Sequence, residues 1–591
     1  MYEAQTPSDT ACEEALLRPI AVCLAALLLA AFARDPAVAA APDRPAWPHG
    51  GMVAAANPYA VEAGRRVLAA GGHAVDAAIA AHAVLGLVEP QSSGIGGGAF
   101  MLVYDAAEDA VIAYDGRETA PADATADMFV VDGEALGYLA AWQSGLSVGV
   151  PGMPALYADT HARHGRLPLA EVLAPAIELA REGFEVSPRL SGFLARIRQV
   201  SRLDDNPDTA AYFYPDGEPL PAGFLRRNPA YADTLERLAA SGPASFYRGA
   251  LAEDIFEAVR AEPHPGRLSL DDLAGYRTVR REAVCGTATD VRVCTMPPPS
   301  SGLAQVMILD LYDRFAAGLA AGDDTARWSA FVDAQRLAYA DRDRYVGDPD
   351  FAAVPVADLI DPAYLRARAA ERAAPGAAPK PGDPGAVLRN EPMLVRYAPD
   401  STAPMPSTSH LSVIDGAGNA VSLTASVEAP FGSSRWAGGF LLNNQLTDFA
   451  RDPGEPGAAA ANIALPGKRP RSSMSPTLVF DADGGLRMVT GSPGGNSIVA
   501  YVAKSLVGVL RWGLSAQEAV DLPNVIARGL TVRVETGVDG GAAVAEGLTG
   551  LGYPVQEREG ENSGLHVIVV RDDGLEGAAD PRREGEAVAV P

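Results

Sequence analysis

Residues 73–88, HAVDAAIAAHAVLGLV, are apolar on nearly every face, so a helix over them has no side to offer to water. Such a helix belongs between layers and not on a surface, which asks the rest of the chain to cover it from more than one direction. A shorter helix precedes it, opened by Asn57-Pro58 as cap and first-turn proline and closed by Gly71-Gly72. His73 and His82 read as helix-end or core residues, because no cluster of ligand-type side chains accompanies them.

The chain has 591 residues, enough for several domains or one large layered fold, and 48% hydrophobic with 21% charged residues is an ordinary globular balance. A formal net charge of −26 repels nucleic acid and anionic membrane. Scattered histidines give no metal-ligand spacing. No cofactor is called for. Gly94-Ile95-Gly96-Gly97-Gly98 leads into a strand without the lysine and helix of a phosphate loop, and reads as tight packing.

The first forty or so residues stand apart. An apolar run at 20–33, too short to span a bilayer, follows Arg18 and precedes Ala37-Val38-Ala39-Ala40-Ala41, as in an export signal over residues 1–41. Glu3, Asp9, Glu13 and Glu14 in a long leading stretch are unlike a signal, and a start placed too early explains them. Export is read over an uncleaved membrane anchor or a cytoplasmic chain; the exported chain, periplasmic or extracellular, then has no stable membrane span and retains Cys285 and Cys294, at the two ends of a short hairpin-like run. The pair reads either as a disulfide kept by an oxidising compartment or as two buried thiols, since spacing alone leaves both open.

The middle, residues 151–372, reads as mainly helical, with Asn228-Pro229 opening one helix and Ser269-Leu270-Asp271-Asp272 capping another. Residues 373–407 turn to Pro, Gly, Ala and Asp without periodicity, as a mobile surface segment does. Order resumes at Thr408. Strands are expected at 408–415 and 420–427 around Gly416-Ala417-Gly418-Asn419, then at 478–480 and 487–490, a helix at 498–509 and a hairpin near 566–570. With the earlier hairpin at 99–104 and 110–114 this is an α+β pattern, suited to two sheets between helical layers.

Three hydroxyl constellations compete for the chemistry. Gly145-Leu146-Ser147-Val148-Gly149 fits G-x-S-x-G, but Val150-Pro151-Gly152 argues against the helix that such an elbow needs. Ser92-Ser93 lacks a base at a set spacing. Ser407-Thr408-Ser409-His410 reads, by itself, as polar strand-edge residues; yet a threonine made N-terminal by a cut carries its own base, the α-amine.

The run TSHLSVIDGAGNAVSLTASVEAPFG at 408–432 resembles the signature of the gamma-glutamyltransferase family. Further blocks agree in order: Glu89-Pro90-Gln91, Asp115-Gly116-Arg117-Glu118, the run from Met296 through Gly302, Leu442-Asn443-Asn444-Gln445 with Asp448-Phe449, Lys468-Arg469-Pro470 with Ser472 through Pro476, Gly491 through Gly495, and Asp580-Pro581-Arg582. The resemblance implies an αββα four-layer sandwich of the N-terminal-nucleophile hydrolase type. It implies a precursor cut between Ser407 and Thr408 into a large subunit, 42–407, and a small one, 408–591.

By the same resemblance Thr408 is nucleophile and base donor, Ser426 steadies it, and Gly494 and Gly495 supply oxyanion donors. Arg117 with Ser472 and Ser473 holds the α-carboxylate of a glutathione-like γ-glutamyl donor; Asp448, Gln445 and Glu428 hold its ammonium. Glu428 stands where many relatives have asparagine. The lid segment at 450–467 is short and lacks the lid tyrosine, which implies an open pocket that favours water as acceptor. Two other readings stay open: a glutaryl-type cephalosporin acylase on the same scaffold, and a non-enzymatic solute-binding protein.

Overall fold

Alternation along the strands sets the architecture. In Gly98–Asp105, Phe100, Leu102 and Tyr104 join one hydrophobic core while Ala99, Met101 and Val103 join another. The structure, a computed structural model, describes residue 1 and residues 47–591 apart from 321, 396, 401, 403–406 and 452–458. The expected export segment therefore lies outside the described residues.

The main strands, in chain order, are β1 (Gly51–Ala55), β2 (Gly98–Asp105), β3 (Ala110–Gly116), β4 (Val279–Glu282), β5 (Val284–Ala288), β6 (Val291–Thr295), β7 (Ser407–Ile414), β8 (Ala420–Glu428), β9 (Thr477–Asp481), β10 (Leu486–Thr490), β11 (His566–Arg571), β12 (Gly574–Ala579) and β13 (Glu586–Val590). They form a seven-stranded sheet, β13-β1-β7-β8-β2-β3-β4, and a six-stranded sheet, β12-β11-β10-β9-β6-β5. One face of the larger sheet packs on the helices Pro58–Ala69, Ala74–Val88, Met153–His164 and Leu169–Glu182. Its other face meets the smaller sheet, where the rings of Tyr104 and Phe480 lie 4.9 Å apart. The helices Leu303–Ala316, Asp324–Tyr345 and Ile498–Leu510 complete that second core. The fold is α+β.

The helix Ala74–Val88 is buried along nearly its whole length, as its composition requires. His73 caps it and His82 bonds the Tyr157 hydroxyl, so both are structural. Cys285 and Cys294 face each other across β5 and β6 and are joined in a disulfide. Around the turn before β8 the Asp415 carboxylate accepts from Ala417 and Asn419, and Gly418 takes φ 81°.

Two expectations need correcting. A helix, Met153–His164, does follow the G-x-S-x-G run, but Ser147 sits in a 3-10 turn bonded to Trp142 and Ser144 carbonyls, so no elbow forms. The described part of 373–402 is anchored, not a loose surface segment. Buried Arg336 donates to the carbonyls of Ala373 and Ala374, and buried Asp341 accepts from Gly382 at 2.7 Å. Both anchors come from the helix Asp324–Tyr345, so no local pattern in 373–402 records them.

Candidate active site

β7 and β8 lie at the centre of the larger sheet, and the site is built where β7 begins. The pairing slips between Ser407 and Thr408: Ser407 stands opposite Glu428 and Thr408 opposite Ser426, so the extra residue, Val427, lies on β8. Thr408 Oγ1 donates to Ser426 Oγ at 3.2 Å, and Ser426 Oγ donates to the Ser407 carbonyl at 2.8 Å. Ser426 Oγ also accepts from the Glu428 amide at 2.8 Å. Both hydroxyls are buried. Ser407 Oγ reaches the Gln91 carbonyl, which ties the start of β7 to the Glu89-Pro90-Gln91 block.

Glycines of the 94–98 run meet crowded backbone. A Cβ on Gly97 would strike the Ser426 carbonyl and one on Gly96 the Leu441 carbonyl, which bears out close packing as the role of that loop. Gly494 and Gly495 take φ 133° and 58° just before the helix Ile498–Leu510. Gly495 lines the pocket with Thr408; Gly494 stands one residue behind, against the Tyr501 ring.

Across the pocket, Arg117 follows β3, with its amide bonded to Asp115 and its carbonyl accepting from Tyr276. Its guanidinium donates to Asp448 Oδ2 at 2.5 Å and to the Pro470 and Arg471 carbonyls. The expected two ends of a zwitterion clamp are thus in direct contact. Gln445 donates to the same Asp448 oxygen at 2.7 Å.

Glu428, with φ 82° in the left-handed region, accepts from Asn444 at 2.5 Å. Burial, and then Asp448, push its carboxyl well above the usual range. Asp448 is also raised by burial, and Glu118 beside Arg117 is pushed up to about 8, first by burial. Among the described residues neither Glu118 oxygen has a hydrogen-bond partner. Three carboxyls therefore crowd one guanidinium, and the low dielectric holds some of them protonated.

Ser472 and Ser473 line the same pocket, but their hydroxyls are already engaged. Ser472 Oγ accepts from the Met474 amide, while Ser473 Oγ accepts from Arg342 at 2.6 Å and donates to Asn496 at 3.0 Å. The proline-serine motif acts beneath them: Ser300 donates to the Met474 carbonyl and Ser301 to that of Ser472. Ala460 pairs with Ala398, and much of the remaining lid segment lies outside the described residues.

The pocket thus gathers Thr408, Ser426, Arg117, Asp448, Glu428, Gln445, Ser472, Ser473 and Gly495. A model of the gamma-glutamyltranspeptidase family matches residues 60–590. The chain belongs to the gamma-glutamyltranspeptidase family. The glutathione hydrolase proenzyme of Escherichia coli (strain K12) is 36% identical over 556 residues, covering 91% of this chain and 91% of that one. The Acylase ACY 1 proenzyme of Pseudomonas sp. (strain V22) is 33% identical over 560 residues, covering 93% of this chain and 95% of the acylase. Among solved structures, cephalosporin acylase from Bacillus halodurans matches with a TM-score of 0.80 at 29% identity, covering 94% of this chain and 99% of that one.

Sequence reading of this family enzyme missed Arg342, Arg471 and Asn496 at the pocket wall, and Arg583 behind Thr408. Arg342 and Arg471 pair with Asp343 and Asp400; nothing in the local sequence marks Arg342, whereas Arg471 lies inside the Lys468–Pro476 block and was within reach of a motif reading. Arg583 adjoins the Asp580-Pro581-Arg582 block and was within reach of a motif reading. Among the described residues no cluster suited to a metal ion occurs, and no helix is long and apolar enough to cross a membrane.

Proposed function

We propose that this enzyme cleaves γ-glutamyl amides through an acyl-Thr408 intermediate and passes the acyl group to water or to an amine acceptor. The observation that carries the reading is the hydrogen-bonded run Thr408–Ser426–Ser407 carbonyl, facing Arg117 and Asp448 across one pocket. The protein is read as an exported precursor with the αββα four-layer arrangement, cut between Ser407 and Thr408 into subunits 42–407 and 408–591.

In the cut, Thr408 Oγ attacks the Ser407 carbonyl carbon, its proton moving to Ser426 Oγ as Ser426 donates to the carbonyl oxygen. The tetrahedral adduct then collapses: the Ser407–Thr408 C–N bond breaks, the proton passed to the former carbonyl oxygen goes to the leaving Thr408 nitrogen, and the ester so formed is hydrolysed by water, releasing the Ser407 carboxylate and a free Thr408 amine. In turnover that amine takes the hydroxyl proton as Oγ adds to the γ-carbonyl carbon, then returns it to the departing amine. Amides at Gly494 and Gly495, with the dipole of the following helix, meet the oxyanion. Arg117 and Asp448 exchange their mutual contact for the donor's α-carboxylate and α-ammonium, and Gln445, Ser472 and Ser473 surround them.

The acylase relatives favour a second reading, and Glu428 bears on it: a protonated carboxyl there would tolerate a glutaryl group that lacks the ammonium. Turnover of γ-glutamyl and glutaryl anilides by the purified two-chain protein decides between them. Preference for the glutaryl substrate overturns the γ-glutamyl reading.

A further inference from the structure

Arg583 is buried, and every partner it has is neutral. It donates to the carbonyls of Thr408 at 2.9 Å, Ser563 at 3.2 Å and Asn562 at 3.4 Å, and to the Asn562 side-chain oxygen at 3.5 Å. Among the described residues no carboxylate lies within the 4.0 Å of an ion pair. Its neighbour Arg582 is paired with both Glu535 and Asp580. A buried guanidinium without a counter-ion opposes folding, so one aimed at the backbone of the reactive residue calls for a reason.

The other charges packed around Thr408 largely cancel. On the pocket side Arg117 pairs with Asp448 and Arg471 with Asp400, while Arg342 and Arg528 share Asp343. Glu428 and Glu118 are held toward their neutral forms by burial. Behind the strand Glu89 pairs with Arg189 and accepts from Ser409. His410, His566 and Tyr501 are kept neutral by burial, and Asp580 is engaged by Arg582 and Ser563. Burial draws the Arg583 guanidinium down to about 9, which leaves it charged at neutral pH.

We propose that Arg583 is a positioning residue for Thr408: it fixes the Thr408 carbonyl and, through its uncompensated charge, keeps the freed α-amine neutral and ready to accept a proton. This rests on the reading of Thr408 as an N-terminal nucleophile. A cation beside an amine disfavours the ammonium form, and a free α-amine, which ordinarily titrates near about 7.7, is otherwise partly protonated and idle at neutral pH. Arg583 does not touch substrate. It sets how much of the enzyme carries a working base.

The test is the pH dependence of kcat/KM for a γ-glutamyl anilide in the two-chain wild type, Arg583→Gln and Arg583→Lys. Removal of the charge should raise the acid limb by about one pH unit in Arg583→Gln, while Arg583→Lys, which retains it, stays near wild type. An acid limb unmoved in Arg583→Gln overturns the proposal. Because the glutamine variant risks failing to mature, the same quantity is read on wild type from the pH dependence of cyanate carbamylation at the Thr408 amine. Titration below about 7.7 supports the proposal, and titration at or above it overturns it. A wild type that stays as one chain, or an active Thr408→Ala, strikes instead at the nucleophile reading.

Discussion

The two sides of the pocket are made of different material. The Thr408 side is a strand in the middle of a sheet, with hydroxyls and carbonyls in a short relay and, among the described residues, no carboxylate hydrogen-bonded to the nucleophile. The Arg117 side is set on loops, a 3-10 turn and the last residue of β8, and concentrates Glu118, Glu428 and Asp448 around one guanidinium. Strands fix atoms well and suit bond making; crowded buried charge is poorly satisfied until a ligand with complementary charges arrives, which suits selection.

Removing the relay should cost the most. Thr408→Ala should remain a single chain on a denaturing gel and lose about four or more decades of kcat, because the nucleophile and the base amine vanish together. Any substantial activity in that variant would place the chemistry elsewhere.

The other side should break more gently. Arg117→Ala removes a charged partner from a nearly dry site and should lower kcat/KM for γ-glutamyl amides by roughly two to three decades, with the two-chain pattern retained. Asp448→Asn combined with Glu428→Gln sharpens the contrast further: the γ-glutamyl substrate should lose much and a glutaryl substrate little. An unchanged ratio of the two turnovers would mean that these acids do not select the donor.

Stability should carry the same signature. Glu118, with its pKa pushed up to about 8, binds its proton more tightly folded than unfolded. Its contribution is therefore fully present below the ordinary carboxylate range and is lost as pH rises toward 8. Thermal unfolding of wild type should show this decline between those limits, and Glu118→Gln should flatten it. The smallest effect is expected far from the pocket, at the edge of the smaller sheet. Reducing Cys285–Cys294, nine residues apart, should lower stability by about 2 to 3 kcal/mol and leave kcat/KM alone.

Much of this was legible in residues alone. An all-apolar helix must be covered, so 73–88 announced a layered interior, and β2, β3, β7 and β8 appeared as short runs bounded by turns, with apolar residues at both parities because the sheet is buried on both faces. Thr408, Ser426, Arg117 and Asp448 were legible because they sit in ordered blocks resembling a known family. What the chain could not reveal from any local window is how those blocks meet. Tertiary structure alone brought Arg117 onto Asp448, 331 positions away in sequence. It also anchored the periodless stretch 373–402 through buried side chains of a distant helix, and closed one of the two alternatives for the cysteines. It set Arg583 against the Thr408 carbonyl, 175 positions off, without a counter-ion among the described residues. The physical reason is the same in each case: periodicity and capping are short-range and leave a local trace, whereas burial, charge pairing and dielectric belong to whichever surfaces the folded chain brings together.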